Sequence, residues 1–226
     1  MSAIIFDLDG TLIDSAPDIH FSANILLIEN EYEAIDIATI RSFIGNGVPK
    51  LVERIMRHRQ IEFSTKSHQD LCEQFIEIYS KNPIAKTILY PNVRKTLDSL
   101  YQQGFKLGIC TNKMHAITKL IIKELKIDNY FSSIIGGDSL PTNKPDPKML
   151  FASINELGAK KSIFVGDSEI DASTAQNANV PFVLFTEGYL KAPLDEVYHS
   201  AKFSDFSELE EKLRNLNQKH NMHNKA

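Results

Sequence analysis

Ala3-Ile4-Ile5-Phe6-Asp7-Leu8-Asp9-Gly10-Thr11, near the start of a 226-residue chain, is the stretch on which the fold turns. Residues 3–6 are apolar and rich in β-branched and aromatic side chains, the composition of a strand buried on both faces. The run stops at two aspartates and a glycine. Side chains alternate along extended backbone, so Asp7 and Asp9 are expected on the same side. Two like charges that close need a cation, or one proton held at a raised pKa. An Asx turn with Gly10 at positive φ accounts for the same residues equally well while the motif stands alone.

Four further apolar runs follow, at residues 106–110, 133–136, 162–165 and 181–185. Helical patterns of roughly ten residues or more separate them. Alternating strands and helices imply an α/β fold built on a parallel sheet, Rossmann-like, with helices on its faces. Residues 91–103 read as one such helix, with Pro91 at its start, Val93, Leu97 and Leu100 on one stripe and Gly104 as its stop. Residues 115–125 read as another.

Between about Asp14 and Pro83 the alternation breaks, and three amphipathic patterns replace it. Ile19, Ala23, Leu26 and Leu27 form one stripe; Val48, Leu51, Val52, Ile55 and Met56 a second; Leu71, Phe75, Ile78 and Tyr79 a third. An inserted α-helical cap over residues 15–83 is expected, with 1–14 and 84–226 forming the core. The linkers at 14–17 and 82–91 would act as two hinges and let the cap move as a lid. Residues 215–226, polar and rich in Asn, Lys and His, read as a frayed tail.

A formal net charge of −4 offers no general attraction to nucleic acid or to an anionic membrane. No apolar stretch approaches the ~20 residues of a membrane span, and no basic leader precedes Asp7. Cys72 and Cys110 are far apart, with no thiolate spacing for zinc and no disulfide framework. The seven histidines form no zinc constellation, and His220 and His223 lie in the expected tail. A soluble cytoplasmic protein with a small-molecule partner fits these features, and they leave monomer and homodimer open.

The chemistry gathers at the strand ends, where open parallel sheets place their ligands. Ile163-Phe164-Val165 runs into Gly166-Asp167-Ser168-Glu169-Ile170-Asp171, bringing two more carboxylates to such an end. Asp167 is expected to face the same crevice as Asp7, and an oxygen-rich site that keeps several waters suits hard Mg²⁺. The same residues also read as the N-cap of a helix, with Ser168 as cap, and both readings can hold. Cys110-Thr111-Asn112-Lys113 places a hydroxyl and backbone N–H groups at another strand-to-helix turn suited to phosphate oxygens, or merely caps that helix. In Asn143-Lys144-Pro145-Asp146-Pro147, two prolines constrain the backbone around Lys144 just before a helix at 147–157, which suits an ammonium aimed inward.

Taken in order, Asp7-x-Asp9-Gly10-Thr11, Thr111-Asn112, Lys144-Pro145 and Gly166-Asp167-x-x-x-Asp171 resemble the haloacid dehalogenase superfamily over most of the chain. The helical insertion resembles that superfamily's C1 cap. Residues 41–48, Arg-Ser-Phe-Ile-Gly-Asn-Gly-Val, resemble the cap loop of phosphoglycolate phosphatases. The resemblance implies that Asp7 attacks phosphorus and, with the Asp9 backbone carbonyl and Asp167, holds Mg²⁺. It implies that Asp9 serves as general acid and base, that Thr111, the Asn112 N–H and Lys144 bind phosphoryl oxygens, and that Asp171 holds a metal-bound water or orients Lys144. An acid at position 9 matches loss of an alkoxide and is superfluous for attack on a carbon–halogen bond.

A closed cap leaves space for a small phosphorylated acid or sugar. Phosphoglycolate phosphatase is the leading reading, with Arg41, Gly45, Asn46, Gly47 and Lys50 as cap contacts for a substrate carboxylate. Arg54, Arg57, His58 and Arg59 read as a solvated face of a cap helix. A β-phosphoglucomutase-like phosphomutase and a broad-specificity sugar phosphatase are the enzymatic alternatives. A receiver-like phospho-signalling domain is the alternative of another class, and its order of acidic motifs and lack of an insertion differ from this chain.

Overall fold

A computed structural model of the chain describes residues 2–223, with side chains described through Leu216. The first elements are β1 (Ser2–Phe6), β2 (Ile13–Asp14), α1 (Ala16–Glu29), α2 (Ile37–Phe43), α3 (Val48–His58), α4 (Thr65–Lys81) and β3 (Ile88–Leu89). Then come α5 (Val93–Gln102), β4 (Lys106–Cys110), α6 (His115–Glu124), β5 (Phe131–Ile135), α7 (Lys148–Leu157) and β6 (Lys161–Gly166). The chain continues through α8 (Glu169–Ala178), β7 (Phe182–Phe185), β8 (Ala201–Phe203) and α9 (Leu209–His223).

β1 lies inside a six-stranded sheet of order β5-β4-β1-β6-β7-β8, and every pairing in it is parallel. Its alternate residues feed two cores: Ile4 and Phe6 join the apolar cluster on one face, Ala3 and Ile5 that on the other. This is why the run 3–6 reads as continuously apolar. Phe6 pairs with Ile109 of β4 and with Val165 of β6, so the three strands finish level. Chain order runs outward from β1 to β4 and β5, then returns to β6 on the other side. The crevice at that reversal is where parallel sheets bind ligands.

Five strands follow the apolar runs of the sequence; β8 has no such run. It is a three-residue edge strand, Ala201-Lys202-Phe203, with only Phe203 buried. Of the expected tail, residues 215–223 are helical instead, because α9 continues to His223, and residues 224–226 lie outside the described residues. Leu209 and Leu213 are buried and Leu216 is partly buried, an i, i+4, i+7 stripe of which only Leu216 falls within the polar stretch 215–226. The side chains of His220 and His223 lie outside the described residues.

The insertion contains four helices, one more than the periodicity indicates. α2 is short, with a single buried residue, Ile40, and it starts because Asp36 accepts from Thr39 N at 2.9 Å. The three expected stripes are the inward faces of α1, α3 and α4. One apolar cluster runs unbroken from Phe6 and Leu8 through Ile19, Leu51 and Phe75. The sequence boundaries at 14/15 and 83/84 fall in the linkers flanking α1–α4. Those linkers are tied together: β2 and β3 pair antiparallel, Ile13 opposite Leu89. Asp18 of α1, buried, also accepts from Lys86 N, Thr87 N and Thr87 Oγ1 at 2.7–3.0 Å. Among the described residues, no helix is long and apolar enough to cross a membrane.

Candidate active site

Asp7 follows β1, Asp167 follows β6, and Asp171 sits in the first turn of α8. Carboxylate oxygens of these three buried residues lie within 4.8 Å of one another. Asp167 and Asp171 are held from behind. Asp167 Oδ1 accepts from Thr11 Oγ1 and its Oδ2 from Tyr189 N, both at 2.7 Å. Asp171 Oδ2 accepts from Ser168 Oγ at 2.6 Å and, in the capping box that starts α8, from Ser168 N at 3.2 Å, and its Oδ1 accepts from Lys144 Nζ at 2.6 Å. The cap and charge readings of 167–171 are therefore both realised. Gly10, at φ +86°, lies so close that a Cβ there would overlap Asp167 Oδ2, and one at Gly188 would overlap both Asp167 and the Gly10 carbonyl.

Lys144, 4 % exposed, places its ammonium 2.9 Å from Asp7 Oδ1 as well as against Asp171. Burial alone would lower the pKa of this lysine, but the carboxylates of Asp171 and Asp7 outweigh it and hold the group above its usual range. The carboxylates show the reverse. Burial first, then the charge of Asp171, raises Asp7 to about 7 against the pull of Lys144. Burial, Asp171 and Asp7 push Asp167 well above the ordinary carboxylate range despite its two hydrogen bonds. Asp7 Oδ1 is buried, and Lys144 is out of line for a hydrogen bond to it. Three carboxylates facing one ammonium, with an unsatisfied buried oxygen among them, form a donor set that fits a hard divalent cation.

Asp9 is expected beside Asp7, and its carboxylate instead stands outside this cluster. It faces Lys113, whose Nζ is 3.0 Å from both oxygens, and Oδ1 also accepts from Ser15 Oγ at 2.5 Å. Burial works against the Lys113 charge, yet Asp9 and then Tyr79 raise its pKa above the usual lysine range. The like-charge problem of the Asp7/Asp9 pair is thus solved by a separate ammonium for each. Sequence reasoning singled out Thr111 and Asn112 and passed over Lys113. Its signal was a charged residue three positions past a strand buried on both faces, where a buried lysine needs a partner.

Thr111 is buried and its N–H donates to Ile135 O, while its Oγ1 accepts from Lys113 N. The Asn112 side chain accepts from Lys144 N at 2.9 Å and donates to Lys144 O at 3.1 Å and to Gly45 O at 3.0 Å. It bridges the lysine loop and the cap. Tyr189, missed in the sequence because only Gly188 marks its turn, ties the same parts together. Its N–H holds Asp167, and its hydroxyl accepts from Ser15 N and Ala16 N and donates to Asp14 Oδ1 at 2.7 Å.

Above the carboxylates is a cavity of about 50 Å³. The core lines it with Asp7, Asp9, Thr111, Asn112 and Lys113, and the insertion with Gly45, Gly47, Val48, Leu51, Phe75 and Tyr79, among others. At 10–15 Å³ per water, this is space for roughly three to five waters. The other expected cap contacts are engaged elsewhere. Arg41 pairs with Asp14 Oδ2 at 3.1 Å over the Tyr189 ring, and Lys50 pairs with Glu53 at 2.7 Å; neither lines the cavity. Asn46 Oδ1 accepts from Arg54, which also donates to Phe43 O, so Arg54 braces the loop from within the cap rather than facing solvent.

A family model described as haloacid dehalogenase-like hydrolase matches residues 4–185. A phosphoglycolate phosphatase of Cereibacter sphaeroides is 41 % identical over 216 residues, covering 96 % of this chain and 99 % of that protein. One from Rhodobacter capsulatus is 42 % identical over 207 residues, covering 92 % and 94 %. Among solved structures, a predicted phosphoglycolate phosphatase from Haemophilus somnus superposes with a TM-score of 0.87 at 32 % identity, covering 92 % of this chain and 96 % of that one.

Proposed function

The chain belongs to the haloacid dehalogenase-like hydrolase family, and on that footing we propose that it is a magnesium-dependent phosphatase that hydrolyses a small phosphate monoester through an aspartyl-phosphate on Asp7. The observation that carries this reading is the division of labour at the strand ends. Asp7, Asp167, Asp171 and Lys144 form one buried charge cluster, while Asp9 stands apart on Lys113 and faces the same small cavity.

Asp7, Asp167 and the Asp9 backbone carbonyl would hold Mg²⁺, which when bound supplies positive charge for the phosphoryl oxygens. An Asp7 oxygen forms a bond to phosphorus as the ester P–O bond breaks. Asp9 gives its proton to the departing oxygen. Asp9 then takes a proton from water as that water bonds to phosphorus and the Asp7–phosphorus bond breaks, regenerating the carboxylate. Lys144, Thr111 and the Asn112 N–H bind phosphoryl oxygens, where charge builds in the transition state. Asp171 acts by orienting Lys144, consistent with their 2.6 Å contact.

The relatives' names and the size of the cavity favour 2-phosphoglycolate as substrate. With Arg41 and Lys50 paired elsewhere and the Asn46 side chain held by Arg54, recognition of a substrate carboxylate falls to the loop backbone at Gly45 and Gly47, which line the cavity. Phosphate release measured with Mg²⁺ across 2-phosphoglycolate, sugar phosphates and nucleoside monophosphates tests the reading. The highest kcat/KM is expected on 2-phosphoglycolate, and Asp7→Asn is expected to cut turnover about 10⁴-fold or more. Isomerisation of a sugar phosphate without phosphate release would make the protein a phosphomutase, and full turnover by Asp7→Asn would remove Asp7 as nucleophile.

A further inference from the structure

Three successive carbonyls of the cap loop, those of Phe43, Ile44 and Gly45, each meet a side-chain donor. Arg54, within the cap, donates to Phe43 O at 2.7 Å. The other two donors come from the core: Lys191 Nζ to Ile44 O at 2.7 Å and Asn112 Nδ2 to Gly45 O at 3.0 Å. Local backbone allows this close seating. Gly45 and Gly47 both have positive φ, and a Cβ at Gly47 would stand 3.1 Å from the Asn112 carbonyl.

The two core donors are mounted on loops that also hold site residues. Asn112 grips the Lys144 backbone on both sides, and Lys144 reaches Asp7. Lys191 lies two residues beyond Tyr189, whose N–H holds Asp167. Where the cap loop sits is therefore tied, through short covalent and hydrogen-bonded connections, to where the Lys144 ammonium and the Asp167 carboxylate sit. Lys191 is an exposed residue, but its ammonium is set against the Ile44 carbonyl: burial, and then the neighbouring Arg54 cation, lower its pKa below the usual lysine range. An ammonium in that position gains most from a carbonyl acceptor.

We propose that Lys191 is a positioning residue for the reaction, docking cap loop 43–47 onto the core so that the loop completes the wall of the cavity over Asp7. Without it, the loop is docked for only part of the time, and substrate must supply the missing docking energy on binding. That cost appears in KM, because a saturated site is docked again, whereas a defect in the phosphoryl site itself lowers kcat. The kinetic part rests on the phosphatase reading; the structural part does not.

The test compares wild type, Lys191→Met and Lys191→Arg by hydrogen exchange, with and without Mg²⁺ and orthovanadate, and by phosphate release from 2-phosphoglycolate. In Lys191→Met, amides of residues 43–48 are expected to lose three- to tenfold of their protection, with β1 and β4 unchanged. KM is expected to rise by a similar factor with kcat within about twofold, the size expected for loss of one partly exposed charged hydrogen bond. Lys191→Arg, which keeps a donor, is expected to recover most of both. Wild-type protection of the loop in Lys191→Met would overturn the proposal, as would a loss of protection spread equally over β1 and β4. If 2-phosphoglycolate is not hydrolysed, the exchange arm still decides.

Discussion

Two buried lysines divide three aspartates between them. Lys144 stands against Asp7 and Asp171, Lys113 against Asp9, and both are at most 8 % exposed. In the proposed mechanism the division separates attack from proton transfer, since each carboxylate has its own fixed counter-charge. Replacing Lys113 tests this directly. Lys113→Met leaves Asp9 with the Ser15 hydroxyl as its remaining partner and removes a charge-assisted contact worth about 1.5–3 kcal/mol. The expected result is a 10- to 100-fold fall in kcat at saturating substrate, with the fold retained by circular dichroism. A kcat within twofold of wild type would show that the pair has no part in turnover. Asp7, Asp9, Asp167, Asp171, Thr111, Asn112 and Lys144 were all visible in the sequence because each follows a recognisable strand or, for Lys144, stands just before a proline turn. Lys113 and Tyr189 were not, because their partners, Asp9 and Asp167, are 104 and 22 residues away.

Elements place these residues more than side-chain preference does. β1, β4 and β6 end level, and from those ends Asp7, Thr111 and Asp167 enter one crevice; the capping box of α8 then turns Asp171 back toward it. Strand positions were legible from apolar runs, and the cap helices from their 3.6-residue periodicity. Short elements were not, since β2, β3 and α2 take their order from pairing and packing. The β2–β3 ribbon and the Asp18 clamp join the two linkers that flank the helical insertion. Asp18→Ala is expected to leave two backbone N–H groups, those of Lys86 and Thr87, without their acceptor. At roughly 1–3 kcal/mol for the buried Thr87 group left unpaired, and less for Lys86, an exposed residue, the loss should be about 2–4 kcal/mol. Thermal unfolding should then fall by roughly 5–15 °C, with Asp18→Asn intermediate. An unchanged midpoint for Asp18→Ala would show that the clamp adds nothing to stability.

At the level of the whole molecule, the carboxylate cluster is a cost to folding that a bound cation would relieve. In an unfolded chain Asp7 would ionise near 3.8, whereas in the fold it keeps its proton until about 7. Between those values the native state binds the extra proton, so stability falls as pH rises from about 4 to 7, and the penalty is complete above that. Thermal unfolding in EDTA should show this decline, Asp7→Asn should flatten it, and Mg²⁺ should raise the midpoint more at pH 8 than at pH 5. A midpoint in EDTA that climbs steadily over the same range, equally in wild type and Asp7→Asn, would contradict the charge balance described here. The sequence by itself determined the α/β class, the inserted helices, the family and the residues at the strand ends, because those follow from local periodicity and from motifs spanning a few residues. Tertiary structure alone decided which charges pair, that Asp9 belongs to Lys113, that Arg41 and Lys50 lie outside the cavity, and that Lys191 and Asn112 hold the cap loop. Those pairings join residues distant along the chain, and their geometry exists only once the sheet and the insertion have packed.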